Sequence, residues 1–344
     1  MGPAGRPHRD VPSHDRRLGL DAEVYAYRLE GLSSMGAKPQ ILVMMATYNG
    51  APYVEEQVAS ILSQEGVEVT LRVCDDQSTD GTLAILEKLA AQDDRMTVTR
   101  NATNKGVGMN FMQMVYERHA APFDYYAFAD QDDVWLPEKL IRAVSKLDGI
   151  AEPALYYSDV HDFDGAREWS ELASYGKVVA HPTTLLVRSW ASGCTMVYNH
   201  ALQEVLCRHE VSEFPRIHDV WVHLVARCCG QVVEDLGHSF IRRRISGRNV
   251  VGELTDHHQS LAEAGKDLSN IRHESAHAPS RVATQLREEF GDEVSPAFRR
   301  SIHTLTTYRA SLASRIRAAM TFDFWQPTLR GRLVVRLCFL LGRY

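Results

Sequence analysis

From residue 41 onward, short apolar runs alternate with amphipathic segments, and several of the runs stop at acidic residues. The unbroken run 41–45 reads as a strand buried on both faces, the habit of parallel sheets. Behind Pro52, the residues Val54, Val58, Ile61 and Leu62 fall on one helical face. Val67, Val69, Leu71 and Val73 alternate as a second strand that ends at Asp75 and Asp76. Asp80 then stands where it can cap a helix carrying Leu83, Leu86 and Leu89. Met96 and Val98 suggest a third strand, and Phe111, Met112 and Val115 share a further helix. The run 125–129 is a strand that stops at Asp130. This alternation predicts an α/β fold with a mostly parallel central sheet flanked by helices. Ligands of such sheets bind beyond the carboxyl ends of the strands, so acids at two of those ends can converge on one crevice.

Composition narrows the function. Hydrophobic content of 44% and charged content of 24% suit a globular core. A net charge of -6, with no long basic run in the first 295 residues, speaks against a nucleic-acid partner. The six cysteines lack paired CxxC spacing, which fits a reducing cytoplasm better than a disulfide framework. Residues 1–38, with Pro3, Pro7 and Pro12 among Arg and His, read as a flexible leader without the apolar centre of a secretory signal. No stretch reaches the roughly 20 apolar residues of a membrane span.

Beyond Pro153 the alternation loosens, but the stretches 192–198, 218–225 and 232–244 still read as ordered pieces. The expected organisation is a catalytic domain at 39–252, its nucleotide-binding half 39–150 and its acceptor half 151–252. A linker or peripheral helix at 253–295, with His257 and His258 in a loop-like setting, and a basic amphipathic helical tail at 296–344 follow. That tail holds nine arginines, no lysine and one acid, Asp323, which points to an anionic membrane surface. Its last apolar run, 333–341, is interrupted by Arg336 and as helix spans only about 14 Å, so it can lie on a bilayer without crossing one, or equally pack as a helix on the catalytic domain. The expected location is cytoplasmic, peripheral on the inner face of the cell membrane.

Three segments carry chemistry. In Asp130-Gln131-Asp132-Asp133, three carboxylates within four residues repel one another unless a cation or proton offsets them. Magnesium or manganese prefers such hard oxygens and commonly completes its shell with substrate phosphates. In Asp75-Asp76-Gln77-Ser78-Thr79-Asp80-Gly81-Thr82, a carboxylate can accept the N3–H of uracil or thymine, while Asp80 and Thr82 organise the turn. After the first strand, Ala46-Thr47-Tyr48-Asn49-Gly50 offers an aromatic face beside flexible backbone. His161, Asp162 and Asp164 are close in sequence, but the polarity around Gly165 reads as a surface turn rather than a second metal site.

These segments in this order resemble glycosyltransferase family 2, and more narrowly its rhamnosyltransferase-like members. The resemblance runs over about 41–251. It takes in Asn104-Lys105-Gly106-Val107-Gly108, Ser192-Gly193-Cys194-Thr195-Met196, His218-Asp219-Val220-Trp221 and Asn249-Val250-Val251-Gly252. It implies a GT-A type fold with a helical C-terminal extension, and a donor of the dTDP-sugar or UDP-sugar kind. By that resemblance Thr47, Tyr48, Asn49, Asp76, Asn110 and Asp132 form the nucleotide site, with Tyr48 stacking on the base. Asp130, Asp132 and Asp133 hold a divalent cation, Mg2+ or Mn2+, and Asp219 is the catalytic base. Gly193, Cys194, His218, Trp221, Arg244 and Arg248 serve the acceptor or the diphosphate. Asp219 also opens a helix-like segment, where an ionised carboxylate is favoured.

The implied function is inverting transfer of a sugar, rhamnose by resemblance, to a saccharide or lipid-linked acceptor in surface polysaccharide synthesis. One departure bears on it. Relatives often carry Tyr-Arg-Gln-His-Gly-Asn-Asn-Val near the end of the catalytic domain, where this chain reads Arg243-Arg244-Ile245-Ser246-Gly247-Arg248-Asn249-Val250. Ser246 stands in the histidine's place. The competing reading is therefore a sugar-nucleotide-binding scaffold of the same fold with impaired turnover. A dinucleotide oxidoreductase is disfavoured because residues 46–50 supply no G-x-G-x-x-G turn.

Overall fold

The computed structural model describes residues 37–164, 183, 186, 191–211, 217–245, 278–324 and 329–344. The expected first half is present. β1 (Gln40–Thr47), α1 (Val54–Leu62), β2 (Glu68–Asp75), α2 (Thr82–Ala90), β3 (Met96–Arg100), α3 (Gly106–Val115) and β4 (Tyr125–Ala129) follow in order. β1 is buried on both faces from Ile41 to Met45, which is why its sequence is continuous rather than alternating. α1 buries Val54, Val58 and Ile61 at helical spacing. The same helix also buries Gln57 and Ser60, and Gln64 just past its end is buried too, a polar stripe that reappears below.

After the short β5 (Val134–Trp135) come α4 (Lys139–Leu147), β6 (Ala154–Ser158), β7 (His161–Phe163), β8 (Val197–Asn199), α5 (His200–Arg208) and α6 (His218–Cys229). β9 (Gln231–Asp235) and β10 (Ile241–Arg244) complete the sheets. Among the described residues the main sheet has the order β3-β2-β1-β4-β8-β6-β9. Its pairs are parallel except where β8 runs against β4 and β6. β2 and β3 lie to one side of β1 and β4 to the other, so the chain reverses direction across the sheet between β1 and β4. A crevice opens at such a switch point. The register sets Thr47 opposite Asp75 and Met45 opposite Ala129. Tyr48, Asp76 and Asp130, each one residue further on, thus leave the sheet at one edge.

A second sheet, β5-β10-β7, covers the far side of that edge, with β10 antiparallel to β5 and parallel to β7. This corrects the surface turn expected around residues 161–164. His161–Phe163 is a strand, and Asp162 is buried against Arg243, whose Nε and Nη2 donate to its two oxygens at 2.8 and 2.9 Å. A buried, bidentate ion pair explains acids in that stretch without a metal.

The C-terminal region holds α7 (Ala278–Phe290), α8 (Pro296–Thr307), α9 (Leu312–Met320) and α10 (Leu329–Leu341). The linker or peripheral helix expected at 253–295 is, in its described part, a helix packed into the core. Val282, Ala283, Leu286 and Phe290 are buried in the same apolar cluster as α6. The reason lies in α6, which is buried on nearly every side and needs a cover for its outer face. Trp221 meets Phe290 at 5.9 Å between ring centroids, and the Ser295 N–H donates to the Cys228 carbonyl at 2.8 Å. The expected tail likewise begins in the core, with Phe298, Ile302, Leu305 and Tyr308 buried. At roughly 1.5–3 kcal/mol for each such side chain, cutting the chain before Pro296 would expose a core rather than release a tail. Among the described residues, no helix is long and apolar enough to cross a membrane.

Candidate active site

The loop after β1 is built to meet the acidic turn. Gln131 holds Tyr48 at both backbone groups: the Tyr48 N–H donates to Gln131 Oε1 at 2.9 Å, and Gln131 Nε2 donates to the Tyr48 carbonyl at 3.1 Å. Tyr48 keeps its ring half exposed, free to present a face to a planar ligand. Asn49 has φ 51, a left-handed value that asparagine tolerates. Its N–H donates to Ser78 Oγ and its Oδ1 accepts the Thr79 N–H, both at 2.9 Å, so it staples the two loops together. Thr47 is buried and donates to Asp75 Oδ1 at 3.2 Å.

Gly50 leaves room for this clasp. A Cβ there would stand 2.2 Å from Gln131 Oε1 and 2.5 Å from its Cδ. Gly50→Ala should therefore eject the Gln131 side chain, costing about 1–2 kcal/mol and loosening Tyr48. Urea unfolding of Gly50→Ala, Gln131→Ala and the pair checks this, because the two losses should not add.

The polar stripe on α1 carries the other side of the turn. Gln57 Nε2 donates to the Asp130 carbonyl at 2.8 Å, the Trp135 N–H donates to Ser60 Oγ at 3.1 Å, and Gln64 Nε2 donates to the Leu136 carbonyl at 2.8 Å. β10 closes over the turn from outside. The Arg244 N–H donates to Asp133 Oδ1 at 3.0 Å and Arg244 Nε to the Asp132 carbonyl at 2.9 Å.

Within this frame, carboxylate oxygens of Asp130 and Asp133 and the Cys194 sulfur all lie within 4.8 Å of one another. Burial pushes Asp130 up to about 7, with the Asp132 and Asp219 charges adding to the effect. Asp133 is raised well above the carboxylate range by burial, then by Asp130 and Asp132. Its Oδ2 is buried without a hydrogen-bond partner. A buried carboxylate oxygen left unpaired among like charges is costly unless a cation offsets it, so the residues fit a divalent ion. The geometry differs from the expected set in one member. The cluster contains Cys194, named from sequence for the acceptor side, whereas the Asp132 carboxylate does not belong to it. A thiol among hard oxygens departs from the all-oxygen octahedral set that magnesium demands.

Asp219 stands in the first turn of α6, as the sequence predicts. Its Oδ1 accepts the Val220 N–H at 2.6 Å and its Oδ2 the Gly193 N–H at 3.2 Å. The helix N-terminus alone favours the ionised form, but burial outweighs it and brings Asp219 up to about 6. The turn Gly193–Thr195 thus holds Asp219 through Gly193 and faces the acidic cluster through Cys194. A Cβ on Gly193 would sit 2.9 Å from His218 Nε2 and 3.1 Å from Asp219 Cβ, so glycine is needed for this approach. His218 stacks on Phe111 with centroids 3.9 Å apart, and both its ring nitrogens lack partners. Burial pushes it down to about 3, which keeps the ring neutral at physiological pH.

Asp76 is buried and already accepts three donors: Asn101 Nδ2 at 2.7 Å, the Lys105 N–H at 2.8 Å and the Gly106 N–H at 2.8 Å. A carboxylate offers about four acceptor sites, so one remains for a ligand. Asn110 lies beneath, buried, joining Asn101, Gln113 and the Cys74 carbonyl. It supports Asp76 through Asn101 and does not itself reach the crevice surface. The Asn101 amide nitrogen is engaged in that network by both Asp76 and Asn110.

Other sequence-named residues fall elsewhere. Trp221, expected on the acceptor side, is buried against Phe290, because a helix covered on both sides turns its largest side chain into the core. Arg244 points back at the acidic turn and at Glu56, 2.6 Å away, rather than outward to a diphosphate. Arg248, Ser246, His257 and His258 lie outside the described residues. Sequence reasoning missed Gln131, Gly50 and the stripe Gln57, Ser60 and Gln64. Polar residues on the buried face of an apolar helix were the available signal. It also missed Lys139, buried with its ammonium 3.5 Å over the Trp135 ring and pushed down to about 7 by burial.

Residues 42–202 match the family described as glycosyl transferase family 2. Among curated proteins, the dTDP-rhamnosyl transferase RfbG of Shigella flexneri is 37% identical over 105 residues, 30% of this chain and 36% of that protein. The UDP-Glc:alpha-D-GlcNAc-diphosphoundecaprenol beta-1,3-glucosyltransferase WfgD of Escherichia coli is 30% identical over 107 residues, 31% of this chain and 42% of that protein. The chain thus aligns with well under half the length of either relative. Of solved structures, S. aureus TarS 1-349 in complex with UDP is similar with a TM-score of 0.48 at 20% identity, over 89% of this chain and 92% of that one.

Proposed function

We propose that this chain, whose residues 42–202 match glycosyl transferase family 2, is an inverting, metal-dependent glycosyltransferase using a dTDP-sugar or UDP-sugar, with rhamnose the favoured sugar. Its fold is of the GT-A type, a mostly parallel central sheet flanked by helices with a helical C-terminal region. One observation carries the reading. The Gly193–Thr195 turn holds Asp219 on one side and meets the Asp130 and Asp133 pair on the other. A base and a cluster able to hold a charge-neutralising cation in one crevice are what single displacement at an anomeric carbon requires.

In that reading Tyr48 stacks on the base and the remaining acceptor site of Asp76 takes the N3–H that uracil and thymine share. This agrees with relatives whose names include both dTDP and UDP donors. Asp130 and Asp133, with Cys194, would hold the cation, which supplies charge neutralisation to the leaving diphosphate. Asp219 accepts the proton of the acceptor hydroxyl as that oxygen attacks. The neutral His218, beside Gly193, offers the same hydroxyl a hydrogen bond. The acceptor is a saccharide or lipid-linked saccharide of surface polysaccharide synthesis.

Thermal unfolding with dTDP, UDP and GDP, each with and without Mn2+, tests the donor. At 100 times its Kd a ligand adds about 2.7 kcal/mol, which is about 3–5 °C in Tm for a chain of this size. dTDP or UDP should give that shift in the presence of Mn2+ and GDP should not. No shift with any nucleotide, or the largest with GDP, would remove this reading.

A further inference from the structure

Among the described residues, the exposed large apolar side chains fall, Tyr48 excepted, between residues 312 and 341. They form stripes. α9 exposes Leu312, Ile316 and Met320 at i, i+4 and i+8, while Ala318 and Ala319 on its other side are buried. α10 exposes Leu329, Leu333 and Leu337 at the same spacing, with Cys338 and Phe339 buried against the protein. The two helices pack on each other, and the Arg315 guanidinium lies 3.2 Å from where a Cβ of Gly342 would stand. Arg315 of α9 thus reaches the residue just past the end of α10, and each member of this helical hairpin carries an apolar stripe. Exposed apolar side chains concentrated in this way are uncommon on a monomer's surface and mark something that covers them.

The charges say what. Arg317 and Arg336 stand exposed beside the stripes. The one acidic side chain between 296 and 344, Asp323, is buried and takes Arg300 Nε at 3.0 Å and Ser301 Oγ at 3.1 Å. The face therefore combines apolar stripes with positive charge and presents no acidic side chain of its own. α10 is only about 20 Å long, short of the roughly 30 Å of a hydrocarbon core. We infer that the α9–α10 hairpin is a docking face for a bilayer with anionic headgroups, its leucines and isoleucine entering the interface and its arginines pairing with phosphates. The surface is thereby confined to residues 312–341, since the helix before it belongs to the core, and it stands independently of which donor the crevice binds.

Co-sedimentation of the full chain with vesicles tests this. Binding to phosphatidylcholine vesicles containing 30 mol% phosphatidylglycerol should exceed binding to pure phosphatidylcholine at least tenfold, and should fall with added salt. Ile316→Glu with Leu333→Glu, both at exposed positions, should lower binding at least tenfold with unchanged Tm. Arg317→Gln with Arg336→Gln should erase the preference for the anionic vesicles. Wild type that ignores both vesicle types, or Glu variants that bind as well as wild type, would overturn the proposal. So would light scattering that shows a dimer split by the Glu substitutions while vesicle binding persists, because the face would then belong to a second copy.

Discussion

Asp219→Asn should lower kcat/KM for sugar transfer by about 10²- to 10⁴-fold, the usual contribution of a positioned general base. The amide matches the carboxylate in shape but has no basic oxygen to take the hydroxyl proton. It keeps one acceptor for the Val220 or Gly193 N–H, so the loss of the other costs about 1 kcal/mol and the fold survives. Nucleotide binding measured by thermal shift should be unchanged, which separates lost chemistry from lost structure. The wild-type profile carries the same information. With Asp219 at about 6, kcat/KM should climb with pH through that value and level off above it, at saturating Mn2+. Burial produces this: an exposed aspartate at a helix start would be ionised well below pH 4 and would be a weaker base. A variant keeping a tenth of wild-type activity, or a profile flat from pH 5 to 7, would remove Asp219 from the role.

Metal-free protein at pH 8 should become more stable when Asp130 is replaced by Asn, on the order of 1–3 kcal/mol. Asp130 titrates at about 7 when folded, against an unfolded value near 3.9. The folded state thus holds this proton more tightly, so its contribution is full below about pH 4 and is lost as pH rises through 7. Asp133 shifts in the same direction and compounds the loss. Asn removes the charge, so urea unfolding in EDTA should show the gain at pH 8 and little of it at pH 4. Mn2+ offsets the same charge by binding, so it should stabilise wild type more at pH 8 than at pH 5 and Asp130→Asn much less. Transfer activity of Asp130→Asn should fall even as its stability rises. Equal metal-free stability of the two proteins at pH 8 would mean the acidic turn is relieved by other means.

Both expectations rest on residues that were legible before any coordinates. The acidic turn, Asp76 and Asp219 stand out in the sequence because carboxylates at the ends of apolar runs are costly unless they serve a site. Strand ends could be read from the runs themselves, since β1 from Ile41 to Met45 and β4 from Tyr126 to Ala129 are buried on both faces and so apolar. What could not be read was which side chains reach each other. Cys194 lies more than 60 positions from Asp130 in the chain and meets it only because β8 inserts beside β4. Gln131 looks like a spacer in an acidic motif until its amide is seen clasping Tyr48.

The C-terminal third shows the other limit. Its arginines and leucines suggested an amphipathic tail, and the same composition serves both a core helix and a surface one. Composition cannot tell them apart because burial depends on the partner, and the partner is α6, whose outer face is as apolar as its inner one. Local pattern, acting through the period of each element and the cost of charge at a strand end, determined the α/β order and the acidic edge. Tertiary packing decided which helices were covered, which thiol joined the carboxylates and how strongly each acid held its proton, because those depend on distance and burial between segments remote in the chain.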